Sequence, residues 1–402
     1  MAGMFYVFSL SAFLKGRSAS VKAGIKWYIL CCIMAGLALL SKQNSITLIP
    51  IIFFAEICIV RKGQTDFLFK KSFYIPILIF TVLAFVATMI LMQDALHPFQ
   101  AYFNSLSSGA DVVKERIFSE ARVFFIYLSL WFIPLSAKLN LLHDIPLSRG
   151  LFMPVETFFA LCGILIYLVY ALYLIKKKPL IAFLLLWFII NIAPESLYVG
   201  IKLIFEHRLY VPSMSLAILV VLALNGLYSR IHERSFIVLC SILVLLLCIN
   251  TYMRNNIWRD RITLWADTAK KSPYSSFARQ NHGVSLYKAG RINEAVIELS
   301  FAQKMDPMNP LLIYHLGVAQ YDAGIFEDAL KSFRKLWSMG LDSPPGNPTL
   351  DRYVYNLGIK YRNRGKIHLA KRIIDEAAFY YPQNIRILDL KKELENKLMT
   401  GW

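Results

Sequence analysis

Residues 283–307 read GVSLYKAGRINEAVIELSFAQKMDP and residues 317–341 read GVAQYDAGIFEDALKSFRKLWSMGL, so the second stretch restates the first at an interval of 34 residues. A third copy starts at Gly358, 41 residues after Gly317, which is the same period plus seven. The extra residues fall in the turn-rich stretch SPPGNP at 343–348. Counted from the three glycines, small residues recur twelve positions on at Ala295, Ala329 and Ala370. Large apolar residues recur sixteen positions on at Leu299, Phe333 and Ile374, and Pro307 and Pro382 close the first and third copies. Two antiparallel helices need small residues where they approach and a bulky one to fill the gap beside them, so the pattern predicts a row of helical pairs.

This repeat resembles the tetratricopeptide repeat. Its units lie near 276–309, 310–343 and 351–384, and a partial unit at 257–275 carries Pro273, 34 residues before Pro307. His282 stands where Leu is usual and Leu336 where Ala is usual. A helix from Asn384 onward, rich in Leu, Lys and Glu, supplies the polar cap that a solenoid needs. The resemblance implies an α-solenoid over 253–402 whose surface holds a peptide or partner protein. Its histidines, His282, His315 and His368, fall at unrelated phases without paired carboxylates or cysteines, so no metal site is expected there.

Upstream of the repeats the chemistry changes. The chain of 402 residues is 57% hydrophobic and 17% charged, with mean hydropathy +0.49, which lies outside the range of a soluble domain. The expected fold class is therefore all-α: a polytopic helical membrane domain at 1–252, then the repeat solenoid. Cutting at charges and turn residues yields eight or nine apolar segments, near 1–14, 27–41, 45–60, 73–92, 121–137, 156–175, 179–195, 209–227 and 235–252. In the first segment the basic residues follow the apolar run, the reverse of a secretory signal, so the domain reads as incomplete at its N-terminus. The six cysteines, Cys31, Cys32, Cys58, Cys162, Cys240 and Cys248, all lie in apolar runs and predict neither disulfides nor a metal cluster.

The formal charge is +18, yet the basic residues of the last 150 positions are interspersed with acidic ones and form no stacking platform, so no nucleic-acid partner is expected. In the apolar part Lys and Arg cluster at 15–26, 61–71, 176–178 and 230–234, which assigns those stretches to the cytoplasm. The loops around 196–208 and everything after about 253 then lie outside. These assignments disagree by one crossing, and a segment 121–137 that is re-entrant or interfacial resolves the conflict. Its Arg122, Trp131 and Pro134 suit that placement.

Ionisable groups at a membrane face are expensive to keep and mark candidate sites. Glu206, His207, Arg208 and Tyr210 gather an acid, an imidazole, a guanidinium and a phenol within five residues where an external loop re-enters the membrane. Arg suits bidentate phosphate recognition, and His and Glu suit proton transfer. The break Ser41, Lys42, Gln43, Asn44 is a second candidate, for phosphate or sugar. Secondary candidates are His143 and Asp144, in a loop with Asn140 and Ser148, and Glu195 after Pro194. Glu56 is expected to pair with Arg61 and Lys62. No phosphate-cradling glycine loop, nucleophile elbow or zinc helix is present in the sequence.

LALLSKQNSITLIPIIFFAE at 37–56, LNLLHDIPLS at 139–148, FEHRLYVPSMSLAIL at 205–219 and the appended repeats together resemble a family. It is the multi-span glycosyltransferases of the C superfamily that carry tetratricopeptide repeats, among them the transmembrane and tetratricopeptide-repeat O-mannosyltransferases. The resemblance implies transfer of a sugar from a polyprenyl-phosphate carrier to a protein on the non-cytoplasmic side, with or without a divalent metal ion. Arg208 and Lys42 would contact the lipid phosphate, His207, Glu206 and Tyr210 would shape the pocket, and the repeats would present the acceptor. Gln43 departs from the Glu usual in the family. The family's catalytic acid resembles an Asp or Glu of the first external loop, which is expected upstream of Met1, so the chain reads as a truncated and inactive form unless that loop exists. The competing reading is a non-catalytic membrane scaffold whose repeats recruit envelope-assembly partners, and a glycan polymerase or ligase is a third. A bacterial inner membrane is the expected location.

Overall fold

The computed structural model describes residues 1–66, 110–197, 202–344 and 346–400, all of it helices, turns and loops apart from one isolated bridge between Gly150 and Met153. The segment expected at 73–92 and the side chain of Glu195 lie outside the described residues. The chain divides into two compact units, Met1–Thr251 and Tyr252–Trp402.

The first unit opens with α1 (Ala2–Ser18) and α2 (Val21–Ser41), folded back on each other across two residues. Small residues set this approach: a Cβ on Gly16 would meet the Tyr28 ring at 2.9 Å, and one on Gly24 would meet the Gly16 carbonyl at 3.0 Å. Lys42 leaves α2 in an extended conformation, a tight turn spans Gln43–Thr47, and α3 (Leu48–Ala55) runs into a single wide turn at Glu56–Val60. There the chain reverses through Lys62 and Gly63, both at positive φ. A Cβ on Gly63 would lie 2.2 Å from the Ile175 carbonyl oxygen, so only glycine fits.

Glu56 is buried and accepts two bonds of 2.8 Å from Arg17 and one of 2.7 Å from Arg61. Arg17 thus takes the place expected for Lys62. The consequence is topological, because Arg17 and Arg61 belong to two of the basic clusters, and Gly63 seats the second against the end of α5 (Glu156–Lys177), where the third begins. Three basic clusters therefore share one end of the bundle.

Helix α4 (Ala110–Phe132) is longer and more charged than the segment expected at 121–137. Its first half carries an internal ion pair, Arg116–Glu120, at 2.6 Å, which hydropathy alone counts against a helix. Its end comes earlier than expected because Pro134 disfavours helical geometry just before it. Phe124 sets its edge on Tyr167 of α5 and Phe188 of α6 (Pro179–Leu197). After α7 (Ser213–Tyr228) comes α8 (Glu233–Ile257), in which no side chain is buried. By length and composition four stretches among the described residues are able to cross a membrane: Lys22–Ser41, Gln43–Val60, Glu156–Lys177 and Glu233–Ile257. Pro179–Pro194 and Ser213–Tyr228 are shorter apolar helices. An apolar helix with none of its side chains buried, as α8 is, has lipid as its compatible solvent.

The second unit holds α9 (Arg261–Lys271), then α10 (Ser276–Lys288) with α11 (Ile292–Met305), and α12 (Pro310–Asp322) with α13 (Phe326–Ser338). The pair α14 (Asp351–Asn363) and α15 (Ile367–Tyr380) follows, and α16 (Ile385–Thr400) ends the series. Side-chain caps start several of them: Asp260 accepts from the Ile262 and Thr263 amides, Ser275 from Ala278, and Asn309 from Leu312. Within each pair the glycine of the first helix lies against the residue sixteen positions on. A Cβ would sit 2.7 Å from Leu299 at Gly283, 2.7 Å from Phe333 at Gly317 and 2.5 Å from Ile374 at Gly358. Ala295, Ala329 and Ala370 are fully buried in the second helix of each pair. His282, at a position where Leu is usual, faces Glu298 at 3.7 Å, and Arg279 reaches the same carboxylate at 3.2 Å.

Glu298 and His315 are expected to make the second unit acid-sensitive. The His282 imidazole, then Arg279, hold the Glu298 carboxylate below its ordinary value, and burial, with Lys288 nearby, holds the His315 imidazole below its own. Both shifts are depressions, so each contributes stability that is present above the unfolded value and is lost as pH falls. The thermal midpoint of the second unit is expected to fall as pH drops from about 7 to about 4. His315→Gln is expected to flatten the part of that decline just below pH ~6.5, read by melts of the full chain at stepped pH.

Candidate functional site

At the end of the first unit away from Arg17 and Arg61, two loops meet. One follows α4. Its Ser148 is fully buried: the amide donates to Ser119 Oγ at 2.8 Å, and Oγ pairs with Thr157 Oγ1 at 2.8 Å and accepts from Arg122 Nε at 3.1 Å. Arg122 also donates to the Pro146 carbonyl. These bonds tie the loop to α4 and to the start of α5, which is how Asn140 and His143 are held. The other loop precedes α7 and carries the single turn Glu206–Leu209. The Tyr127 hydroxyl of α4 accepts from the Phe205 amide at 3.1 Å and donates to its carbonyl at 3.4 Å, and Trp187 of α6 donates to the Val211 carbonyl at 2.8 Å. Entry to and exit from the turn are both pinned.

The two loops touch through Glu206. Its Oε1 accepts the Asn140 amide at 2.6 Å and lies 3.1 Å from His143 Nε2. Both side chains keep some access to solvent, 12% for His143 and 27% for Glu206. Arg208 turns elsewhere: Nη1 donates to the Leu203 carbonyl at 3.0 Å and the guanidinium lies 5.0 Å from the Phe205 ring centre. The Tyr127 hydroxyl is within hydrogen-bonding reach of Arg208, and the buried Arg116 is within its electrostatic reach. His207 is exposed with its ring 5.3 Å from Phe205, and Tyr210 is exposed with its ring against Gly3 of α1.

The structure thus joins His143 and Asn140 to Glu206 across more than sixty residues of sequence. Asp144 is exposed beside them, and Ser148 serves the scaffold of the loop. Lys42 and Gln43 are exposed at the start of their own turn. That turn reaches the same end of the bundle through a relay: Tyr6 pairs with Thr47 at 3.0 Å, Thr47 donates to Asn191 at 2.8 Å, and Asn191 donates to the Trp187 carbonyl at 2.9 Å. Trp187 then holds Val211.

Sequence reasoning passed over Tyr127, Phe205, Asn191 and the Arg116–Glu120 pair. The one local signal was the i, i+4 spacing of opposite charges in a stretch otherwise turning apolar. Among the described residues no group of three His, Cys, Asp or Glu side chains gathers to hold a metal ion. Glu206 and His143 by themselves make too small a donor set to hold one.

No family model matches the chain. Over 120 residues, 29% of its length, it is 30% identical to the human protein O-mannosyl-transferase TMTC1. Over 152 residues, 37% of its length, it is 28% identical to the mouse protein of the same name. The matched stretches cover 14% and 16% of those relatives, so the chain spans well under two thirds of either.

Removal of the relay is a direct test of how the site is supported. Interhelical hydrogen bonds in membranes are worth ~0.6 kcal/mol on average and up to about 1.7. Asn191→Ala removes the acceptor for Thr47 and is expected to cost about 1 kcal/mol, measured by reversible detergent unfolding.

Proposed function

We propose that the chain is a membrane glycosyltransferase-like protein that moves a sugar from a polyprenyl-phosphate carrier to a hydroxyl of a protein acceptor. The observation that carries this reading is the meeting of His143, Asn140 and Glu206 on the loops that also carry Arg208, at the end of an apolar bundle opposite its basic clusters. A lipid-borne phosphate arrives from the bilayer, and a site for it belongs where the apolar helices stop. Arg208, with the Tyr127 hydroxyl at hand and Arg116 adding positive potential, supplies what the carrier's phosphodiester needs as it becomes a departing phosphate: hydrogen-bond donors and charge. Lys42, exposed at the head of its own turn, is read as a second cation for the lipid phosphate.

Positive-inside bias puts the end bearing Arg17, Arg61 and Lys176 in the cytoplasm and the site outside, in a bacterial inner membrane on this reading. Helix α4 supports it. Ser119, Arg122 and Tyr127 all bond the site loops, which favours reading α4 as re-entrant or interfacial. The second unit we read as tetratricopeptide repeats that present the acceptor, since the Gly283, Gly317 and Gly358 contacts repeat that motif's helix packing. Similarity to protein O-mannosyl-transferases favours mannose as the sugar and Ser or Thr as the acceptor.

The test is transfer by the full chain in liposomes containing polyprenyl-phosphate mannose, with Ser/Thr-rich peptides outside. Glycopeptide is expected, and Arg208→Ala is expected to lower its rate by about 100-fold or more. Absence of transfer from any lipid-linked sugar, with partner binding by the second unit untouched by Arg208→Ala, would establish the scaffold reading instead.

A further inference from the structure

We infer that the groove between α1 and α2 holds an acyl chain of an anionic phospholipid, with Lys15 on the lipid's phosphate. The inference is independent of the transferase reading above, and no sugar transfer enters its test.

The two helices are clamped along a seam. Ser9 Oγ donates to the Cys31 carbonyl at 2.9 Å, and a Cβ on Gly24 would lie 3.0 Å from the Gly16 carbonyl oxygen. Flanking residues of the same helices open a groove of about 330 Å³, a size that small-ligand sites share. Met4, Phe5 and Phe8 line it from α1, and Leu30 and Met34 from α2. On α1 the lining continues through Ser11 to Lys15 at helical spacing, so it is one stripe of that helix. From Met4 to Lys15 the stripe runs about 16 Å along the axis. One leaflet supplies roughly half of the ~30 Å hydrocarbon core, or about 15 Å. The groove thus has the depth of one acyl chain and is short for a polyprenyl chain.

The charge lies at one end. Lys15, in the last turn of α1, is exposed, and its Nζ stands 4.7 Å from the centre of the Trp27 ring, which also lines the groove. Trp27 belongs to the second turn of α2, so the two residues mark the end of the hairpin that carries Arg17. Residues 1–55 contain neither Asp nor Glu, and Glu56, the first acid of the chain, is taken by Arg17 and Arg61. The hairpin therefore has no carboxylate of its own for Lys15 or for the exposed Lys22 and Lys26. A lysine and a tryptophan at a bilayer interface need no bound lipid. What makes a site here is the apolar groove that starts at them and runs one leaflet deep. A lipid phosphate answers the surplus positive charge while its chain fills the groove. A zwitterionic headgroup brings its own cation and answers it less well.

The experiment uses the full chain, purified in mild detergent and mixed with equal amounts of phosphatidylglycerol and phosphatidylcholine, and reads retained lipid by native mass spectrometry. One phosphatidylglycerol per chain is the expected result. A lysine near an anionic headgroup contributes about 1 kcal/mol, which is a factor of about five in affinity. Lys15→Ala is expected to weaken retention by about that factor, and Lys15→Arg to keep it. Ser11→Phe, which fills the groove without changing charge, is expected to lower retention at least as far. Lys177→Ala, an exposed lysine of another basic cluster, is expected to leave it near that of the wild type. Wild-type retention in either Lys15→Ala or Ser11→Phe overturns the assignment. So does equal retention of the two lipids, retention of neither, or displacement of phosphatidylglycerol by an equal amount of polyprenyl phosphate. A lipid-free dimer that Ser11→Phe dissociates would show that a second copy of the chain fills the groove instead.

Discussion

The buried carboxylate of Glu56, held by Arg17 and Arg61, is the contact on which the arrangement of the first unit depends. Glu56 is buried while both guanidinium groups keep access to solvent, so the contact ties the segments that carry these residues together and gives the buried carboxylate its partners. Through Gly63, whose missing side chain lets the backbone rest on the Ile175 carbonyl, the same end collects the lysines that finish α5. The loops that carry Asn140, His143 and Glu206 meet at the opposite end.

At that end the order of dependence runs inward from helices to loops. Tyr127 and Trp187, each on a helix packed into the apolar core, hold the two sides of the turn Glu206–Leu209. Arg122, Ser119 and Thr157 hold the loop that brings Asn140 and His143. Only then do Glu206 and His143 meet. The donors that fix the loops sit on rigid elements while the groups offered to a ligand sit on the loops, which is the usual division of labour at binding sites.

How much of this was legible in the sequence varied with the range of the interaction. Helical character was legible throughout, because apolar runs and turn residues act locally. The phase of Gly283, Gly317 and Gly358 was legible as well, since close helix approach demands a small residue at each turn of the pattern, and each glycine meets the residue sixteen positions on. The extent of α4 was not. Hydropathy sees Lys114, Arg116 and Glu120 as the end of a segment, whereas the Arg116–Glu120 pair carries the helix through them. Nor was the meeting of His143 with Glu206 legible, because nothing local links a loop after α4 to a loop before α7. Both stretches stood out as polar at a membrane face, and that was as far as spacing reached. Arg17 as the second partner of Glu56 was hidden for the same reason, 39 positions away in the sequence.

The central claim is that the site loops share one side of the membrane and the basic clusters share the other. Single cysteines at Asp144→Cys, Lys202→Cys, Lys62→Cys and Lys177→Cys, in a chain whose native cysteines are replaced, measure it with a membrane-impermeant maleimide. Labelling of the Asp144→Cys and Lys202→Cys chains from outside, with Lys62→Cys and Lys177→Cys reached only after permeabilisation, is the expected result. Labelling that places positions 144 and 202 on opposite sides, or position 144 with position 62, would contradict it.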